Sequence, residues 1–381
     1  MRRHYIDHLR WPVILLLVPY HAAMAFNSWG EPNYIFFYAN RTISCPVVFF
    51  SPFLMPLMFL FAGMSTRFSL QRRSVSQYLA ERVRRLLIPL AFCTLAIMPV
   101  MAYLADRFQG AYTGSFLQHY GIFFTKFTDL TGADGGFSFG QFWFLLYLFV
   151  ISAAGVCVIT MLAKMRTKVQ SKGHAVLRSP NLAAVILLGL PLPFLHEVLS
   201  VGGKSFAEYF YVFLVGYYVF SDDRITERIV RYRIAFLVTG LCAGAANVCL
   251  FLWPGELFGG MEGNTPGVSY ALLNLLVHSV AEWFMILALI GIGKRYLEFD
   301  GKMTAYFRER SMLFFALHFL PVILMQYCLA GAFYENPVLI YFVPVILSYV
   351  LTFVLCEIAA RIPPLAFLLG AKNWKIMKNR G

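Results

Sequence analysis

Ten apolar stretches of roughly membrane-crossing length, joined by segments that gather nearly all the basic residues, dictate what this chain can become. A helix needs about 20 mainly apolar residues to cross a hydrocarbon core about 30 Å thick. The stretches fall at about 11–27, 46–64, 86–104, 141–163, 181–195, 206–220, 234–253, 268–292, 311–330 and 338–360. With 59% hydrophobic and only 13% charged residues, and a mean hydropathy of +0.66, a soluble domain is excluded. The expected fold is all-α: a polytopic integral membrane protein of about ten transmembrane helices. No internal repeat or low-complexity linker divides it, so residues 1–370 read as one membrane domain and 371–381 as a basic cytoplasmic tail.

Charge placement sets the expected orientation. With both termini in the cytoplasm, 28 of the 32 lysines and arginines fall on the inside, leaving Arg41, Arg107, Lys126 and Lys204 for the outside. The net charge of +13 then follows from topology and contact with anionic membrane lipids, and nucleic acid is not needed as a partner. The first apolar stretch contains two prolines and His21 and lacks a small-residue cleavage site, so it reads as a retained span rather than a leader. The fifth stretch, with Pro191 and Pro193, is the weakest helix. Seven cysteines, odd in number and all in or beside apolar stretches, read as packing residues. The histidines show no ligand-like spacing, so no metal site is expected.

Several ionisable residues fall inside the apolar stretches, where they are costly and functional by default. Arg10 and His21 are eleven positions apart, close to three helical turns, so on a helix they share one face, ~16 Å apart at ~1.5 Å per residue. The alternatives are a packing His21 bonded to a neighbouring helix carbonyl, and an Arg10 that sets topology beside Asp7. Ser311 and His318, seven apart, also share a face. His278 and Glu282, four apart in the eighth stretch, either pair as a structural lock or let Glu282 orient an imidazole. Glu357 is expected to be neutralised by Arg361. The segment from about Ala105 to Gly140, with Asp129, Gly132, Asp134, Gly135 and Gly136, has the composition of an outside loop able to receive a polar substrate.

Five motifs follow one another along the chain: Asp7-His-Leu-Arg10 with Tyr20-His21, Phe59-Leu-Phe-Ala-Gly63-Met, Tyr78-Leu-Ala-Glu-Arg82-Val-Arg-Arg85-Leu-Leu-Ile-Pro89, Phe142-Trp143-Phe-Leu, and Ser311-Met-Leu-Phe-Phe-Ala-Leu-His318. Together they resemble the acyltransferase 3 family of membrane O-acyltransferases. The tail Glu357-Ile-Ala-Ala-Arg361-Ile-Pro-Pro-Leu-Ala-Phe-Leu-Leu-Gly370 is similar to the branch that adds succinyl groups to osmoregulated periplasmic glucans. Ala62 stands where the family has Ser, and Phe315 where it has Tyr; the second change removes a hydroxyl that would orient an acceptor.

The resemblance implies a bacterial inner-membrane enzyme that moves an acetyl or succinyl group from cytoplasmic acyl-CoA, its donor substrate, to a hydroxyl of an extracytoplasmic glycan, with no bound cofactor. Such a reaction needs a base for the hydroxyl proton, and imidazole suits it. His21 would be that base and Arg10 would position the donor. Arg82 and Arg85, three apart on a helix start, would bind the CoA phosphates, since guanidinium groups hold phosphate bidentately. Ser311, His318, His278 and Glu282 would orient the acceptor or support the base. The rival class is a transporter or flippase for an anionic or lipid-linked glycan, against which stand the missing inverted repeat and the lack of paired broken helices.

Overall fold

The computed structural model describes residues 3–128, 131–168, 181–254 and 268–371; Asp129 and, Ala371 apart, the basic tail lie outside them. Helix occupies each of the ten apolar stretches. The helices are α1 (His4–Met24), α2 (Arg41–Leu70), α3 (Val75–Arg82), α4 (Ile88–Ala96), α5 (Met98–Gln109), α6 (Phe116–Thr125), α7 (Trp143–Lys168), α8 (Leu182–Leu187), α9 (Leu192–Leu195), α10 (Phe206–Val215), α11 (Asp223–Leu252), α12 (Val268–Tyr296), α13 (Lys302–Leu317), α14 (Phe319–Phe333), α15 (Pro337–Arg361) and α16 (Pro363–Leu368). Six of these runs are long and apolar enough to cross a membrane: Arg41–Leu70, Val75–Gln109, Gly140–Met165, Asp223–Leu252, Ser269–Tyr296 and Pro337–Arg361. The pair α13 and α14, bent by 48°, makes a seventh if counted as one span. In α1 the apolar run is diluted by Asp7, His8, Arg10 and His21, and two shorter apolar helices, Leu182–Leu195 and Phe206–Phe220, fill the remaining stretches. The protein is an integral membrane protein.

The chain packs as two compact units, each assembled from separate stretches. Met1–Leu9, Val48–Ala80 and Tyr147–Phe299 make the first; Arg10–Val47, Glu81–Leu146 and Asp300–Gly381 make the second. In the first unit, α2 meets α10 and the wide turn after it, Gly216–Phe220, backbone against backbone. A Cβ on Gly63 would fall on the Phe213 carbonyl oxygen, and one on Gly216 on that of Leu60. Small residues permit this approach, which in lipid supplies the van der Waals packing that hydrophobic burial cannot. Helices α11 and α12 pack together in the same manner, with Gly240 against Met285 and Gly291 against the Arg233 Cβ. Arg3 closes the end of the wide turn, donating to the carbonyls of Phe220 (3.0 Å) and Ser221 (2.8 Å), and pairs with Asp223 at 3.0 Å. The only strands among the described residues form a hairpin, β1 (Ser200–Val201) and β2 (Lys204–Ser205), turned by Gly202 and Gly203, both at positive φ.

Prolines inside helices leave a carbonyl four residues earlier without its donor, and in lipid every such group needs a partner. Three are met by side chains from other helices. Pro19 frees the Leu15 carbonyl, which accepts from Tyr349 Oη at 2.7 Å; Pro52 frees that of Val48, which accepts from Asn247 Nδ2 at 3.2 Å; Pro99 frees that of Leu95, which accepts from Tyr120 Oη at 3.1 Å. Tyr349→Phe is expected to lower stability by about 1–3 kcal/mol, the cost of orphaning a buried acceptor, read as a lower thermal midpoint in nanodiscs.

The packing reading of the cysteines fits Cys93 and Cys356, which are buried; Cys157, Cys242, Cys249 and Cys328 are exposed, and all seven are free thiols.

Candidate active site

Helix α1 carries Arg10 and His21 at helical spacing, both half-buried, with His21 in the last turn. That turn is held from two other helices of the second unit. Gln326 Nε2 on α14 donates to the Ala22 carbonyl (2.9 Å), and Tyr341 Oη on α15 donates to that of Pro19 (3.2 Å). Beside Arg10, Trp11 stacks on Phe307 with centroids 4.7 Å apart. Both ends of the Arg10–His21 face are therefore fixed by neighbours rather than by α1 alone.

The His21 ring stacks on Phe319 at 4.1 Å, meets Tyr20 edge-on at 5.6 Å and lies 5.3 Å from the ring of His318. His318 occupies the break between α13 and α14. Pro321 explains the break, because it cannot donate to the Leu317 carbonyl. His318 is fully buried, and its Nδ1 lies 2.8 Å from the Phe315 carbonyl and 3.2 Å from that of Phe314. Carbonyls only accept, so Nδ1 carries the hydrogen and Nε2 keeps its lone pair. Nε2 has no hydrogen-bond partner. Phe315 walls this region with Phe142 and Phe144, an apolar surface. Ser311 sits half-buried on α13, seven residues before the bend.

Arg82 ends α3, and Arg85 lies in the wide turn Val83–Leu87 that follows. Pro89 cannot donate to the Arg85 carbonyl, and here the backbone takes the longer Ile88 N to Val83 O bond. Both arginines are half-buried while Arg84 between them is exposed, and Arg85 pairs with Glu81 at 3.5 Å. The chain's C-terminal turn at Gly370 packs on the Arg85 backbone and Pro89. Arg361 acts on Glu357 electrostatically as expected, but the direct partners come from another element: Glu357 takes Arg310 Nε at 3.1 Å and Tyr306 Oη at 2.8 Å, because α13 brings a guanidinium closer than the one a turn ahead.

In the loop that precedes α7, burial pushes the Asp134 carboxyl up, but Thr128 Oγ1 (2.7 Å), the Gly136 N–H (3.0 Å) and Lys126 (3.2 Å) outweigh it and hold the group below the usual carboxylate range.

His278 and Glu282 belong to the first unit. They do not form a hydrogen-bonded lock: His278 packs on His196 with centroids 4.7 Å apart, and neither Glu282 oxygen has a hydrogen-bond partner.

A buried neutral imidazole next to a half-buried one, with an arginine down the same helix, suits proton transfer beside an anionic substrate. A model of the acyltransferase domain matches residues 3–358. The chain belongs to the acyltransferase 3 family. It is a membrane acyltransferase. It is 20% identical to glucans biosynthesis protein C of Salmonella heidelberg (strain SL476) and of Salmonella typhi, over 97% of this chain and 95% of each relative. No solved structure gives a significant match. Sequence reasoning missed Phe319, Gln326 and Tyr341 as supports of the His21 turn, and Tyr349 as the donor to the Leu15 carbonyl. The signals were present in the prolines, since Pro321 marks the bend that presents His318 and Phe319, and Pro19 marks a carbonyl in need of a donor.

Proposed function

We propose that this acyltransferase moves an acyl group, acetyl or succinyl, from cytoplasmic acyl-CoA to a hydroxyl of an extracytoplasmic glycan. It would cross the bacterial inner membrane ten times with both termini in the cytoplasm. The observation that carries this reading is His21, a half-buried imidazole stacked on Phe319 and next to His318, in a chain matched by the acyltransferase domain over residues 3–358. The curated relatives named for glucan biosynthesis supply the acceptor class.

In this mechanism His21 takes the hydroxyl proton as the oxygen attacks the thioester carbonyl. The tetrahedral intermediate collapses, the C–S bond breaks, and the imidazolium returns the proton to the departing CoA thiolate. His318, with Nδ1–H fixed on backbone carbonyls and a lone pair on Nε2, supports the imidazolium. Arg10 positions the donor, and Arg82 with Arg85 holds CoA phosphates by charge-assisted bonds. Ser311 lines the acceptor side.

Arg10→Ala is expected to lower kcat/KM for acyl-CoA about 10- to 100-fold, the range for a hydrogen bond to a charged group, with the glycan KM little changed. A donor KM equal to wild type in folded Arg10→Ala protein would remove Arg10 from this role.

A further inference from the structure

The first unit holds a buried polar cluster that the acyl-transfer mechanism does not use. His196 follows α9, at the end of the segment broken by Pro191 and Pro193, and its Nδ1 lies 2.8 Å from Glu208 Oε2 in the first turn of α10. The His278 ring on α12 packs against His196 at 4.7 Å. Glu282 follows His278 by one turn on the same helical face. It is fully buried, neither of its oxygens has a hydrogen-bond partner, and Glu208 is near enough to act on it electrostatically. Glu197 also acts on His196 electrostatically, and Tyr211, one turn after Glu208 on α10, is committed to the Leu188 carbonyl at 2.8 Å. Trp283 Nε1 is likewise spent on the Val185 carbonyl at 3.1 Å.

An isolated carboxylate in this setting is costly, and the nearby Glu208 carboxyl makes ionisation of Glu282 costlier still. The buried, unpartnered Glu282 carboxyl is therefore a place suited to holding a proton. Access is graded: the His196 side chain is 28% exposed, that of Glu208 5%, and Glu282 0%. Among the described residues no three His, Cys, Asp or Glu are placed to hold a metal ion, whereas ordered series of His and Glu within membranes carry protons.

We infer that His196, Glu208, His278 and Glu282 form an intramembrane proton-binding site, with the proton stored on Glu282 and exchanged with water through His278 and the His196–Glu208 pair. In the release step the Glu282 O–H bond breaks and the proton moves to a ring nitrogen of His278. That imidazolium passes it to the His196–Glu208 pair, which yields it to water; uptake is the reverse. The inference rests on the membrane reading of the chain and not on acyl transfer.

Infrared spectroscopy of the whole protein in nanodiscs tests it. At neutral pH wild type is expected to show a protonated-carboxyl C=O stretch that shifts in D₂O. The band is lost in Glu282→Gln and kept in Glu335→Gln, a change at an exposed position. In His196→Ala the shift after transfer to D₂O is expected to be several-fold slower. Absence of the band in wild type, or its survival in Glu282→Gln, overturns the site. Unchanged exchange in His196→Ala overturns the path. The wild-type spectrum and the His196→Ala rate decide the matter even if Glu282→Gln fails to fold.

Discussion

His21→Ala is expected to cut acyl transfer by about 10²–10⁴-fold, the usual contribution of a positioned acid or base, while leaving the protein folded. The geometry makes the second half of that expectation specific. The turn that carries His21 is tied down through backbone carbonyls, by Gln326 to Ala22 and by Tyr341 to Pro19, and the His21 side chain takes no part in those bonds. Its removal leaves a gap beside Phe319 and His318 without orphaning either support. Circular dichroism and thermal unfolding of the variant should therefore resemble wild type, and turnover of acyl-CoA with glycan should not. His318→Ala is expected to be the milder change if His318 acts through His21. Near-normal transfer in folded His21→Ala protein would end the case for His21 as the base.

Gly63→Val is expected to destabilise the first unit by about 1–3 kcal/mol or more, the cost of overpacking a tight contact. What a side chain would strike is the backbone carbonyl of Phe213, not a movable side chain, and Gly216 presents the same problem reciprocally at the Leu60 carbonyl. Only separation of α2 from α10 relieves the clash, and that separation exposes the packing that substitutes for hydrophobic burial in lipid. The measurement is yield and thermal midpoint in detergent; a Gly63→Val protein as stable as wild type would mean that the two helices do not approach as described.

Much of the fold was legible because hydropathy alone places helices in lipid, and each of the ten stretches carries one. Even the weakest, at 181–195, is helical on both sides of its break, with Pro191 between α8 and α9 and Pro193 in the first turn of α9. The bend at His318 was readable too, in Pro321, yet the stretch at 311–330 reads as one straight span if only its apolarity is weighed. The candidate site was legible as far as helical spacing reaches. Spacing brought out Arg10 and His21 on one helix, and His318 proved to be His21's neighbour. Spacing fell short where a partner comes from elsewhere in the chain: Glu357 is hydrogen-bonded by Arg310, with Arg361 acting only electrostatically, and His278 meets His196 rather than Glu282. A local rule cannot weigh a helix that arrives from a distant part of the sequence.

The most direct test of the central claim counts two products together. Purified protein in nanodiscs is supplied with succinyl-CoA or acetyl-CoA and a periplasmic glycan extract, and free CoA and acylated glycan are quantified from the same reaction. Acyl transfer requires one CoA released for each ester formed, with neither appearing when the glycan is withheld. Glycan crossing the bilayer of sealed proteoliposomes with no CoA consumed would contradict the account and make the chain a transporter.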